Sequence, residues 1–442
     1  MLKIFNSLGK KLEDFKPLKD KKAGIYVCGP TVYSPDHLGH ARTWIFFDWL
    51  RRYLKLEGYK VNFVQNITDA GHLTGDSDVG EDKIEAQARK EKKTPQEIAR
   101  YYEAEYLSDL ASLNILLPDK NPRATDHIKD IIQYIEVLIE KKHAYEVDGN
   151  VYFDISTSPA YGKLSGLKLD QLREAVRINA DPKKKNPFDF ALWLRADKQL
   201  QKWPSPWGEG YPGWHIECSV MALKYLGQPF DIHGGGPDNK FPHHENEIAQ
   251  SEAFADKPLA RYWLHTGVLL INGQKMAKSA GNFVTVKDAL RENSADTIKI
   301  AFMNNHWQKP LNWDKDAILE AKKTLTRLVR AKEQAQPIVT GFKTEISQIL
   351  QDDFNVPRAL AVIMKNISKL SRDDFSYIEE LFGLKLEEVM KLTADQEDLL
   401  KERNKVRAAG DYPKADEIRK KLEEQGIMIE DTPTGTRTYR KG

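Results

Sequence analysis

Cysteine is scarce in this chain: Cys28 and Cys218 are the only two. That number excludes a disulfide framework and is the usage expected of a reducing cytoplasm, where thiols serve metals or catalysis. Long apolar runs are missing as well. No stretch of about 18 apolar residues occurs and residues 1–6 lack a signal-peptide core, so neither a membrane span nor secretion is expected. Excess charge of one sign is absent too, since 67 Lys and Arg against 65 Asp and Glu leave +2. Any nucleic-acid binding must then rest on local clusters and not on bulk charge. With 442 residues, 40% hydrophobic and 30% charged, the chain has material for a main core and smaller satellites, and reads as soluble and multidomain.

What is present alternates in type. Residues 24–28 read as a strand, 41–56 as an amphipathic helix and 60–67 as a second strand. This is a βαβ unit of a parallel sheet, with a nucleotide crevice at the carboxyl ends of its strands. Cys28, His37, His40 and Thr68 fall at that edge. His37-Leu38-Gly39-His40 opens the helix, where free N–H groups and the positive dipole end suit an anion. The two histidines add donors, and Gly39 lets a base or ribose approach the backbone. Much later, Gly273-Gln274-Lys275-Met276-Ala277-Lys278-Ser279 brackets small residues with two lysines able to neutralise a triphosphate. Taken singly, each motif reads more readily as a turn or a solvated loop; their order and context give them weight.

The two thiols fit a metal site. Cys28 closes the first strand, and Cys218 ends Gly213-Trp214-His215-Ile216-Glu217-Cys218. A helix starting near Pro242 stacks His243 one turn above Glu247. Two thiolates, an imidazole and a carboxylate form a four-ligand zinc set. His215, Glu217, His244 and Glu245 are local rivals, and two unrelated buried thiols are the simpler alternative. Trp214, just before the second cysteine, is either core packing or an indole wall of a pocket.

Further along, residues 69–82 read as a loop, 85–113 as helical, 128–142 as a helix and 149–155 as a strand. Lys183-Lys184-Lys185 is a basic loop, and Trp203-Pro204-Ser205-Pro206-Trp207-Gly208 marks a return to the sheet. Apolar residues at three- and four-residue steps predict helices over 314–333, 345–351 and 357–370. The segment 396–426 alternates in charge and leads into a strand-like tail at 427–430.

These blocks together resemble cysteinyl-tRNA synthetases, a family of class I aminoacyl-tRNA synthetases. H-L-G-H and K-M-A-K-S match the two class I signatures. Y-V-C-G-P-T-V-Y, N-I-T-D, P-G-W-H-I-E-C-S, F-D-I-H-G-G-G-P-D and F-P-H-H-E-N-E-I-A-Q match the flanking blocks, and D-D-F-N-V-P-R-A with E-D-T-P-T-G-T-R extends the likeness to the C-terminus. The resemblance implies an α/β Rossmann-type parallel-sheet catalytic domain with an inserted connective domain, an α-helical bundle and a small C-terminal anticodon-binding domain. The expected divisions are 1–117 and 207–255 for the two catalytic halves, 118–206 for the insert, 256–310 for the signature-loop region, 311–390 for the bundle and 391–442 for the anticodon domain.

It further implies a cysteine–tRNA ligase that forms cysteinyl-adenylate from L-cysteine and ATP with Mg²⁺, then charges tRNA(Cys). The expected catalytic residues are His37, His40, Lys275 and Lys278; His37, Gly39, His40 and Lys278 would hold ATP, and Gly29, Thr31, Thr68 and Trp214 the cysteine. One Zn²⁺ on Cys28, Cys218, His243 and Glu247 would bind the substrate sulfur. A shaped pocket separates serine from cysteine by only roughly 1–3 kcal/mol, whereas zinc strongly prefers a thiolate. Arg437, Tyr439 and Arg440 are the implied tRNA contacts, in a cytoplasmic monomer. Departures are modest: Ala277 stands where serine is usual, Leu38 where isoleucine is, and Tyr439 where many members carry tryptophan. Residues 70–76 are glycine-rich and form a candidate flap carrying His72. The alternatives are a cysteine:amino-sugar ligase of mycothiol synthesis, which the residues after about 310 argue against, and a non-catalytic nucleic-acid-binding paralogue.

Overall fold

The computed structural model describes residues 1–74, 80–167, 183–277, 281–336, 341–387, 392–432 and 435–440. Strand β1 (Lys22–Val27) leads through helix α1 (Leu38–Leu56) to β2 (Lys60–Gln65). After a long excursion, α2 (Trp214–Leu226), β3 (Phe230–Gly235), α3 (Glu245–Ala255) and β4 (Ala260–His265) complete the sheet. All pairings are parallel, in the order β4-β3-β1-β2. From β1 the chain reaches β2 on one side and β3 on the other, so the carboxyl ends of β1 and β3 flank a topological switch point, where open α/β sheets bind ligands.

The sequence of α1 explains its place. Trp44, Ile45, Phe46, Phe47, Trp49 and Leu50 are consecutive or nearly so, and all are buried. A helix apolar around its whole circumference must be covered on every side. Its cover includes the helical region: Trp49 Nε1 donates to Phe382 O at 2.9 Å, and the Arg52 guanidinium donates to Glu380 O at 3.1 Å. Each such large apolar side chain contributes about 1.5–3 kcal/mol by burial.

The excursion between β2 and α2 builds its own antiparallel sheet from Ala144–Val147, Asn150–Phe153, Phe190–Arg195 and Gly210–Pro212, in that order. Ile131, Ile135 and Leu138 of the helix Ile128–Glu140 pack with Phe153, Leu192 and Trp193 in the same core. The fourth strand lies past the expected boundary at 206, because Trp203 pairs with Gly210 and turns the chain back onto this sheet. Return to the parallel sheet comes with α2. The expected helix over 85–113 is two helices, Lys83–Glu91 and Pro95–Ser112. Lys92 adopts a left-handed conformation (φ 56°), and Thr94 and Glu97 form a capping box with Pro95 just inside. This arrangement restarts a helix.

Beyond β4, Leu269–Ile271 pairs with Gln274–Lys275 and, in parallel, with Leu311–Trp313. The second signature therefore hangs from a three-stranded sheet whose last strand lies just past the expected boundary at 310. Helices Lys315–Glu333, Phe342–Leu350, Val356–Asn366 and Arg372–Phe382 follow. The 396–426 segment is likewise two helices, Ala394–Ala408 and Tyr412–Glu424, broken at Gly410 (φ 83°). Its strand-like tail is one arm of a hairpin, Ile427–Thr432 with Gly435–Arg440. Ile418, Leu422, Ile427 and Ile429 form a core of its own.

Candidate active site

A cavity of about 420 Å³ opens at the switch point. Its floor is the turn after β1, where Gly29 is obligatory: a Cβ there would stand 1.7 Å from Asn66 O. Gly29 N donates to Asn66 Oδ1 at 2.9 Å, and Thr31 and Thr68 form an isolated parallel bridge beside it. Gly29, Thr31, Thr68 and Trp214 all line the cavity, together with Cys28, Cys218 and His243.

The first signature occupies the start of α1. His37 caps the helix, its Nδ1 accepting from His40 N at 3.2 Å, and the two imidazoles stack 3.7 Å apart. Sequence reasoning missed Asp36, whose Oδ1 lies 3.0 Å from His40 Nδ1. Burial, aided by Glu105, pushes the Asp36 carboxyl well above its ordinary range. Gly39 leaves no room for a side chain, since a Cβ would meet the His37 ring at 2.9 Å. The segment that follows the second signature pairs with the first: Leu38 N donates to Val284 O at 3.1 Å and Val286 N to Asp36 O at 2.9 Å. Lys275 lines the cavity and pairs with Asp238 at 2.9 Å, while Asn282 holds the loop through Ala277 N at 2.9 Å. Lys278 lies outside the described residues.

The metal-type donors converge although their segments are far apart in sequence. Glu245 begins α3 three residues later than the helix start expected near Pro242, and His243 Nε2 still reaches Glu247 Oε1 at 3.1 Å. One donor atom each from Cys28, Cys218, His243 and Glu247 lie within 4.8 Å of one another. Burial, reinforced by Cys218, pushes the Cys28 thiol up, whereas the hydrogen bond from Cys28 holds Cys218 down at about 6. Burial alone would lower His243 and raise Glu247. For His243 the attraction of Glu247, helped by Cys218, outweighs it, and for Glu247 the attraction of His233 and then of His243 does, setting them at about 10 and about 2. A second cluster, Cys28, His233, His244 and Glu247, meets the same distance criterion. His244 is a rival on sequence; His233 is not, and its only signal there is its place in β3 just before Gly234-Gly235-Gly236. Of the other rivals, Glu217 accepts from Thr68 Oγ1 at 3.0 Å, His215 Nδ1 contacts His243 Nδ1 at 2.9 Å, and Glu245 accepts from Ser165 N at 2.8 Å.

The profile of the tRNA synthetases class I (C) catalytic domain matches residues 14–323, and that of the cysteinyl-tRNA ligase anticodon binding domain matches residues 390–440. A protein of Chlorobaculum tepidum named cysteine–tRNA ligase is 43% identical over all of this chain and 99% of its own length. One of the same name from Legionella pneumophila strain Paris is also 43% identical, across 100% of this chain and 99% of its own. The chain belongs to the cysteine–tRNA ligase family. The fold agrees: Mycobacterium tuberculosis methionyl-tRNA synthetase bound by methionyl-adenylate aligns over 86% of this chain and 87% of its own, with a TM-score of 0.59 at 16% identity.

As a cysteine–tRNA ligase, the chain has His37, Gly39, His40 and Lys275 of its two class I signatures around one cavity with Cys28, Cys218 and His243, while Glu247 is fully buried and contacts His243. Of the two places open to Trp214, core packing or a pocket wall, it takes the second: it lines the cavity, sandwiched between His72 at 4.1 Å and His243 at 4.2 Å. His72 of the candidate flap also lines the cavity, although residues 75–79 of that loop lie outside the described residues. Arg437, Tyr439 and Arg440 fall on the second arm of the C-terminal hairpin, with their side chains outside the described set. No helix among the described residues is long and apolar enough to cross a membrane.

Proposed function

We propose that the chain activates L-cysteine with ATP and Mg²⁺ to cysteinyl-adenylate and transfers the cysteinyl group to the 3′ end of tRNA(Cys), as a cytoplasmic monomer. The observation that carries this reading is the meeting, in one cavity, of Cys28, Cys218 and His243 of the donor set with the first signature and Lys275 of the second, Glu247 being buried within reach of His243. Cys28, Cys218, His243 and Glu247 are the proposed zinc ligands, a set whose two thiols, imidazole and carboxylate suit that ion. Zinc held there would supply a preference for thiolate over hydroxyl that excludes serine without an editing site.

The chain's own residues do the rest. Gly29, Thr31, Thr68 and Trp214 hold the amino acid with its carboxylate toward the α-phosphate. The amino-terminal end of α1, with His37, Gly39 and His40, receives the nucleotide. An oxygen of the carboxylate bonds to the α-phosphorus as the bond to pyrophosphate breaks, and Lys275 and Lys278 stabilise the negative charge on the departing phosphates. The 3′-terminal ribose hydroxyl of the tRNA then attacks the mixed anhydride, releasing AMP. Residues 391–442, with Arg437, Tyr439 and Arg440, grip the anticodon.

The test is pyrophosphate exchange with cysteine against serine, followed by charging of a tRNA(Cys) transcript. Cysteine-dependent exchange with none for serine, and accumulation of cysteinyl-tRNA, are expected. Exchange with another amino acid would defeat the reading. The C-terminal match and the full-length relatives leave the amino-sugar ligase unfavoured.

A further inference from the structure

Thr31 and Thr68 sit side by side in the cavity, but their hydroxyls are wired differently. Thr68 Oγ1 donates to Glu217 Oε2 at 3.0 Å and accepts from Asn66 Nδ2 at 3.1 Å. Its proton is committed. Thr31 Oγ1 instead lies 2.5 Å from His72 Nδ1, and His72 Nε2 lies 2.7 Å from Lys83 Nζ. A lysine ammonium has donors only, so facing it Nε2 must accept. The proton of the neutral imidazole is therefore on Nδ1, where it is donated to Thr31 Oγ1. With its oxygen engaged as an acceptor, the Thr31 hydroxyl turns its own proton to a group inside the cavity.

The chain is held rigidly enough to fix that direction. The His72 ring stacks on Trp214 with an interplanar angle of 11°, and Lys83 N donates to His72 O at 3.0 Å. Asp82 caps the helix that begins with Lys83, accepting from Ile84 N at 2.8 Å and Glu85 N at 3.0 Å. Thr31, His72 and Lys83 all line the cavity beside Cys28, Cys218 and Trp214. A hydroxyl whose oxygen accepts from a polarised imidazole is a stronger donor than an isolated one, and the positive charge lies at the far end of the chain. The matching ligand group is an anion with acceptors only.

We propose that Lys83, His72 and Thr31 form a polarised donor chain that binds the α-carboxylate of the amino-acid substrate. Thr31 makes the contact, and His72 and Lys83 are positioning residues. The inference rests on reading the cavity as the cysteine site. It assigns the carboxylate to the Thr31 side, since Thr68 has no proton left to give. Engaging one carboxylate oxygen orients the other for attack on phosphorus, so the chain also serves the reaction geometry.

The test compares cysteine with cysteamine, which keeps the thiol and amine but lacks the carboxylate. Equilibrium binding of each is measured on the full chain, with metal content and melting temperature as fold controls. His72→Phe keeps a ring on Trp214 and removes the Nδ1 donor; Lys83→Met keeps the length and removes the charge. Each should weaken cysteine binding by about tenfold or more, the effect of a lost hydrogen bond to a charged group. Cysteamine binding should stay within about twofold, the size left when no such bond is lost. Thr31→Ser should keep the wild-type preference and Thr31→Val should lose it. Equal weakening of both compounds, or no change in either, would overturn the proposal. If His72→Phe does not fold, Lys83→Met decides the question by the same comparison. A wild-type protein that binds neither compound would overturn the reading of the cavity itself, an outcome distinct from a lost preference.

Discussion

Trp214 stacks on His243 with ring centroids 4.2 Å apart, so a wall of the proposed cysteine pocket rests directly on a proposed metal ligand. Both lie at ends of helices that pack together, Trp214 opening α2 and His243 just before α3. Loss of the metal should therefore disturb the pocket wall as well as the sulfur site.

Freshly purified protein should carry about one zinc per chain, the stoichiometry of a single four-ligand site. Cys218→Ser should lower zinc content and cysteine activation together, as read by elemental analysis and pyrophosphate exchange. His233→Ala should spare much of the zinc. The opposite pattern, full zinc in Cys218→Ser and loss in His233→Ala, would move the ion to the cluster of Cys28, His233, His244 and Glu247.

His40→Ala and Lys278→Ala should each depress the rate of cysteinyl-adenylate formation by roughly 10²- to 10³-fold, typical of losing one group that stabilises transition-state charge. Cysteine affinity should change little. Stopped-flow measurement of adenylate formation separates the two quantities. A loss confined to ATP affinity, with unchanged turnover, would make these residues binders only.

Asp109 carries a pH prediction. Burial first, and then the neighbouring Asp36 and Glu105, push its carboxyl up to about 7 against the pull of Lys287. A folded value above the unfolded one, about 3.9, means that stability present below pH about 4 is lost as pH rises through about 7. Asp109→Asn removes the ionising group. Melting curves of variant and wild type should nearly coincide at pH about 4 and below, and the variant should melt higher at pH about 8.5, above both values. A gap that does not widen with pH would refute the placement of this cost.

Removal of residues 391–442 should leave cysteine-dependent pyrophosphate exchange largely intact, because the small core around Ile418 and Leu422 is separate from that of the parallel sheet. Charging should fall through weaker tRNA binding, with a shallower dependence on salt because fewer phosphates are neutralised. Unimpaired charging by the truncated enzyme would defeat the anticodon assignment.

Much of this protein is legible along the chain, where local patterns carry the chemistry. The βαβ opening, the helix-capping His37, both signatures and the spacing of His243 and Glu247 are short-range features, written within one or two turns of backbone. The two split helices are legible in principle as well: Thr94-Pro95-Gln96-Glu97 is a capping box, and Gly410-Asp411 a break and a new cap. The fourth strand of the insert is not. Gly210–Pro212 is three residues long and carries no period of its own.

By itself, then, the sequence determined the family and the class of fold and, through that likeness, singled out the four-residue metal set proposed above, because those rest on residue types at particular spacings. Tertiary structure alone decided which groups share a cavity. His244 and Cys28 are separated by 216 residues, yet they meet at 3.1 Å. Lys83, His72 and Thr31 come from two segments that touch only because β1 and β2 end side by side. Spacing specifies what a segment can do locally. A donor's partner, and hence the direction of its proton, is set by chain segments that no local pattern connects.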